Sequence, residues 1–177
     1  MAELTKVLTA QDADIAAIRA VTDVLPDAGA LTGLVAQAGF GKAFLRKIVT
    51  FDAGAGTGAV GAVPLFTVTG AVAIRLVAIC TTIIATQAGA TISVGTPAAV
   101  DGIIAVTTGV DIDAGDIWFA AAPATVLDTL ANSMIEMVIG DEANIQGDVL
   151  VDTIDSGMIE FNLWWTPLSA TGAVVAA

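Results

Sequence analysis

The chain has no histidine, no tyrosine and a single cysteine among its 177 residues. Without histidine it lacks the side chain that titrates near neutral pH and most often ligates metals, and without tyrosine it lacks the phenolic acid. That removes most hydrolase and transferase mechanisms, so the chain reads as a non-enzyme with no cofactor. Cys80 has no second cysteine to pair with and lies in an apolar run, where a small buried hydrophobe is the expected role. Cations are scarce too: Lys6, Arg19, Lys42, Arg46, Lys47 and Arg75 are the full set, and none follows Arg75 although acids continue to Glu160. With a net charge of -12 and no clustered cations in the second half, nucleic acid is not an expected partner. A basic or metal-bridged protein surface would suit the acidic half, and acids that merely keep an apolar chain soluble would read the same way. A membrane span needs ~20 nearly uncharged apolar residues. The longest apolar run here, Ala71 to Ala85, is broken by Arg75 and bounded by Gly70 and Gly89. The opening MAELTKVLTAQDAD carries an early acid and no apolar core of signal-peptide length, so export by that route is not expected.

What the chain does have is organised around that run, AVAIRLVAICTTIIA. Val72, Ile74, Leu76, Ala78, Cys80, Thr82 and Ile84 fall on one side of an extended strand, and Arg75 falls on the other. Crowded Val, Ile and Thr lose rotamer freedom in a helix and fit a pleated surface, so the run predicts the central strand of a sheet. Around it stand further short candidates: Phe44 to Phe51, a strand through Val63 to Thr69, Ala90 to Val94, Gly102 to Thr107, Asp116 to Phe119, Ser133 to Ile139, Gln146 to Ile154 and Met158 to Trp165. Turn signals at Gln87-Ala88-Gly89, Asp101-Gly102, Gly140-Asp141 and Ser156-Gly157 separate them. The last alternates most cleanly, with Ile159, Phe161, Leu163 and Trp165 on one side and Glu160 and Asn162 on the other. About eight to ten short strands without intervening helices predict an antiparallel β-sandwich or jelly-roll-like domain over residues 44–177.

Ahead of it, residues 1–43 read as an α-helical arm and a Gly/Ala-rich linker. Thr9 and Asp12 supply a helix start and Pro26 a stop. Ile15, Ile18, Thr22 and Leu25 repeat at three-four-three spacing, a narrow stripe of the coiled-coil kind. A helix of ~15 residues is marginal alone, which favours association of copies along that stripe. Lys42, Arg46 and Lys47 then gather half of the cations at the start of the first strand, as a docking patch or, more simply, a solvated edge.

Three patterns suggest chemistry, and each has a plainer reading. Gly56, Gly58 and Gly61 spell G-x-G-x-x-G, but Pro64 and the β-branched residues after it announce a strand where a dinucleotide motif needs a helix, so the segment is a glycine loop. Asp111, Asp113 and Asp116 resemble the start of a calcium loop with glycine and acids in the wrong order, and a turn built on Asp113 and Gly115 is the better reading. Glu136, Asp141, Glu142, Asp148, Asp152, Asp155 and Glu160 offer carboxylate pairs for glycoside cleavage, as any acidic β protein does. Trp118, Trp164 and Trp165 offer stacking platforms for a glycan, with exposure of Trp118 as the discriminating feature.

At VGAVPLFTVTGAVAIRLVAIC (Val60 to Cys80), TTGVDIDAGDIW (Thr107 to Trp118) and LWWTPLSATGAVVAA (Leu163 to Ala177) the chain resembles small virion accessory proteins of tailed bacteriophages. The arm AAIRAVTDVLPDAGALTGL (Ala16 to Leu34) is similar to short helices that precede the β domains of phage head and tail accessory proteins. The resemblance brings no catalytic or ligand residue. It implies a structural protein made in the host cytoplasm and bound to the capsid exterior, of decoration, cement or head-fibre type. It also implies a homotrimer, with the major capsid protein or other virion proteins as partners.

Overall fold

The computed structural model describes residues 43–53, 56–86, 89–119, 122–123, 136–140 and 143–177. The described chain is almost entirely strand: β1 Ala43–Asp52, β2 Gly61–Thr69, β3 Val72–Thr86, β4 Thr91–Thr96, β5 Ala99–Thr108, β6 Ile117–Trp118, β7 Met137–Ile139, β8 Ile145–Leu150, β9 Ile154–Pro167 and β10 Ala173–Ala176. A 3-10 turn, Gly109–Asp111, follows β5. Two antiparallel sheets result. One runs β1-β9-β3-β6, with β7 also on β3, and the other runs β10-β2-β8-β4-β5.

The pairing is nested. β4 pairs β5 at the innermost hairpin, β3 pairs β6 and β7 outside it, β2 pairs β8, and β1 pairs β9 outermost. A long antiparallel ribbon has thus been rolled so that successive pairs alternate between sheets, which is the jelly-roll order with β10 added at one edge. The mainly β, two-sheet expectation is met, and β3 is an interior strand as its apolar run predicts.

Side chains of alternate residues on both sheets interdigitate to form the core. Phe51, Leu65, Phe66, Ile74, Ile92, Ile104, Ile112, Trp118, Ile145, Ile154, Ile159, Phe161 and Leu163 are all within 2% of complete burial. Pro64 lies opposite Gln146 of β8 just before the ladder shifts register, and β10 pairs β2 only from Phe66 to Thr69, so on its other side Pro64 meets no strand.

Two expected turns lie elsewhere. Asp101-Gly102 is inside β5, and the β4–β5 turn is made by Pro97 and Ala98. Gly95 is why the hairpin closes there: a Cβ on it would stand 1.9 Å from the Ala99 carbonyl oxygen. Likewise the candidate strand Gln146 to Ile154 is two strands with a turn at 151–153, and Ser156-Gly157 lies inside β9. Gly157 marks a close approach in place of a turn. Its φ is +140°, and a Cβ would come within 2.5 Å of Ile84 Cδ1. There the β3–β9 register slips between Thr82 and Ala85. Strand β10 was not expected from sequence; its Val174 is buried against the core while Val175 is exposed.

Candidate functional site: the outer face of the first sheet

An antiparallel sheet that covers a core on one side ordinarily turns a polar face to water on the other. The sheet β1-β9-β3-β6 departs from this. Its register places residues in rows across the outer face: Phe44, Trp164 and Arg75; then Arg46, Asn162 and Val77; then Ile48, Glu160, Ile79 and Ile117. Val77 and Ile117 form a second apolar cluster, separate from the core, with Ile79, Phe119 and Trp164 packed against it. Phe44 lies against Trp164 with ring centroids 5.3 Å apart and planes tilted by 49°, a geometry favourable to aromatic pairs. Phe44 and Ile48 remain 51% and 45% exposed.

Polar groups flank these apolar rows, with Thr50, Asp52 and Ser156 further along β1 and β9, and the charged ones nearest the rows are paired. Arg46 reaches Glu160 at 3.4 Å and Arg75 reaches Glu136 at 3.2 Å. Asn162 sits in the centre at 6% exposure, and its Nδ2 has no hydrogen-bond partner in the structure; Arg75 Nε is likewise buried without one. Buried donors normally find acceptors, so this face leaves polar capacity for something to fill. Lys47 points the other way, to the Ala177 carbonyl oxygen beside β10. Arg46 and Lys47 thus blunt an edge strand, the plainer of the two readings of that cation group. Lys42 lies outside the described residues, as do Ile15, Ile18, Thr22 and Leu25 of the expected association stripe.

The other candidates settle into structural roles. The segment 109–116 docks on β3: Cys80 N–H donates to the Asp116 carbonyl at 2.9 Å, and Gly115 N–H donates to the Cys80 carbonyl at 2.8 Å. Asp116 Oδ2 accepts the Asp113 N–H at 2.9 Å, and Gly115 has φ +95°, as a turn requires. Among the described residues no group of three or more His, Cys, Asp or Glu side chains could hold a metal ion. Asp148 is buried with both carboxylate oxygens on Gln146 Nε2, at 2.9 and 3.1 Å. Trp118 is fully buried and donates from Nε1 to Thr107 Oγ1 at 2.8 Å, which corrects the expectation that it could be an exposed glycan platform. Trp165 is also in the core.

Burial, followed by the negative charge of Asp116, pushes the Cys80 thiol up from 9.0 to about 11. The native thiol should therefore resist iodoacetamide at pH 8, whereas the urea-unfolded chain should react at the rate of an ordinary cysteine. Equal rates would contradict the burial. The raised value also sets a pH window. Between 9.0 and about 11 the unfolded chain releases a proton that the native chain keeps. This contribution to stability is complete below that window and is lost as pH rises through it.

The sequence carried one sign of the outer-face cluster. From Val72 to Cys80 the apolar residues run nearly without a break through both parities, which is the pattern of a strand covered on two sides. Phe44 and Phe119 gave no such sign, because each stands at the end of its strand.

The fold and this face define a jelly-roll β domain with an apolar outer surface on one sheet. No protein-family model matches the chain, and no curated protein matches it. Among solved structures the chain is similar to one described as the acidic stable capsid structure of Helicobacter pylori bacteriophage KHP30. The TM-score is 0.44 and the sequence identity 10%, and the match covers 76% of this chain and 94% of that chain. No helix among the described residues is long and apolar enough to cross a membrane.

Proposed function

We propose that the chain is a structural protein of a phage virion, a decoration, cement or head-fibre protein that binds the outside of the capsid. The observation that carries this reading is the apolar outer face. A sandwich that worked alone would have no use for Phe44 and Ile48 half exposed beside the Val77/Ile117 cluster, and exposed apolar side chains grouped in this way favour protein contact. The sequence resemblance to virion accessory proteins gives that contact its setting. The chain acts by burying surface against neighbouring virion proteins, with weak individual contacts multiplied by linking several copies through the arm as a homotrimer. It performs no catalysis and takes no cofactor.

The test is co-sedimentation with shells of the major capsid protein encoded alongside it, for the full chain and for one starting near Lys42. The described core lies entirely within residues 43–177, so the shorter chain is expected to fold. The full chain should sediment with shells as a trimer, and the truncated one should be reduced in mass and bind weakly. A truncated chain that keeps the same mass and the same binding would remove the arm from the mechanism. A full chain that never sediments with shells and binds glycans on an array would replace the proposal.

A further inference from the structure

We infer that the end of the sandwich where β8 turns into β9 docks on a neighbouring virion protein, through a surface of that protein that combines cations with apolar hollows. The inference rests on the proposed virion role and names the end of the domain that makes contact and the chemistry it meets. Register assembles this end. Gly61 pairs with Val149, and Thr91 pairs with both Leu150 and Thr108. The residues just beyond those pairs therefore come together: Val60 ahead of β2, Val151 after β8 and Val110 after β5. All three valines are more than half exposed, and exposed apolar side chains gathered from separate loops favour contact with another protein.

Val151 is the most telling of the three. Its φ is +70°, and the Asp152 N–H donates to the Leu150 carbonyl at 2.9 Å. It is thus the central residue of a γ-turn of the positive-φ kind, which is rare and strained. A β-branched side chain crowds its own backbone in that region, whereas glycine or asparagine adopts it readily. At 79% exposure the valine takes little packing from its own fold in exchange. An apolar side chain held at a strained loop tip becomes stabilising when another molecule covers it.

Charge names what covers it. Asp52 ends β1, Asp111 ends the 3-10 turn beside Val110, Asp152 follows Val151, and Asp155 takes the Ala53 N–H on its carbonyl at this same end. The cations among the described residues are Arg46, Lys47 and Arg75. Lys47 stands five residues before Asp52 along β1, and Arg75 is near the start of β3, which runs on to Thr86. At ~3.3 Å per residue Lys47 is roughly 17 Å away, about two screening lengths at physiological salt. The valines are therefore ringed by acids that no described cation offsets. A second copy of this chain, a nucleic acid or an anionic lipid would each bring the wrong sign. A protein face bearing Lys or Arg around apolar hollows matches both the acids and the valines.

The experiment measures co-sedimentation of the full chain with shells of the major capsid protein at low and high salt. Binding should fall as salt rises. Asp111→Lys, at an exposed position, should weaken it about fivefold at about 50 mM salt and hardly at about 500 mM, where the charges are screened. Val151→Asn should leave the urea midpoint level or raised and still weaken shell binding about fivefold. That split separates a contact residue from one that serves its own fold. Shell binding that ignores salt and both substitutions overturns the inference and leaves the virion role standing on the outer face. A Val151→Asn midpoint well below the parent also overturns it, since the valine then packs within its own domain. A full chain that sediments with shells at neither salt removes the virion role itself, and this contact with it.

Discussion

Trp118→Ala should lower the unfolding free energy by about 3–5 kcal/mol, the range for deleting a large buried aromatic. Trp118 has no exposed surface and stacks edge-on against Phe161, with ring centroids 6.4 Å apart. It comes from one of the shortest strands, β6, and yet it bridges the sandwich: its backbone pairs with Ala78 in one sheet while its indole N–H donates to Thr107 of β5 in the other. Removing the ring leaves a cavity between the sheets and leaves the buried Thr107 hydroxyl without that donor. Against a total stability of about 5–15 kcal/mol for a domain of this kind, that is a large fraction. Trp118→Phe keeps most of the packing and should cost about 1–2 kcal/mol, chiefly through the lost hydrogen bond. Urea midpoints with matched slopes measure both. A Trp118→Ala midpoint unchanged from the parent would place the ring at the surface. Glycan binding lost at full stability would return the residue to the role first considered from sequence.

How far the fold could be read from sequence follows from what each residue pattern senses. The alternation of Ile159, Phe161, Leu163 and Trp165 reports one face against a core, and the structure has that face on the core with Glu160 and Asn162 opposite. The run through Ile74 and Cys80 likewise gave an interior strand. The turns were harder to read. Turn signals rest on glycine and small polar residues, and Gly102 and Gly157 sit inside strands, Gly157 for a reason no local window contains: the nearness of Ile84, more than 70 positions earlier. The nested pairing was also beyond a local reading, since β1 meets β9 through the register of Phe44 with Trp164. The outer face was least visible. It is assembled from β1, β3, β6 and β9, and only the register shows that Phe44, Val77, Ile117 and Trp164 share a surface.

Gly58→Ala separates the two readings of the glycine loop most sharply. A phosphate-binding loop uses its glycines to let backbone N–H groups approach a ligand, so Gly56, Gly58 and Gly61 would then be needed alike for binding. The structure gives them unequal work. A Cβ at Gly58 would stand 1.9 Å from the carbonyl oxygen of Ile154, 3.0 Å from its carbonyl carbon and 3.2 Å from the Ala53 nitrogen, all backbone and none able to swing aside. Gly58 is also where the loop is clamped to β9: Ile154 N–H donates to its carbonyl at 2.8 Å. An added methyl must push the loop off the first residue of β9, breaking that bond where β9 begins its pairing with β1 and β3. The expected cost is about 3 kcal/mol or more, the upper end for forcing atoms into a packed site. That is a fall of roughly 6–12 °C in melting temperature at about 2–4 °C per kcal/mol for a chain of this length. Gly56 has φ +85° with open space around it, so Gly56→Ala should cost only the left-handed backbone penalty of about 1–2 kcal/mol. A calorimetric series in which Gly58→Ala falls well below Gly56→Ala, with no nucleotide shifting either melt, fits a loop whose glycine exists to let two backbones touch. Equal, small shifts would mean that the loop does not press on β9 at all.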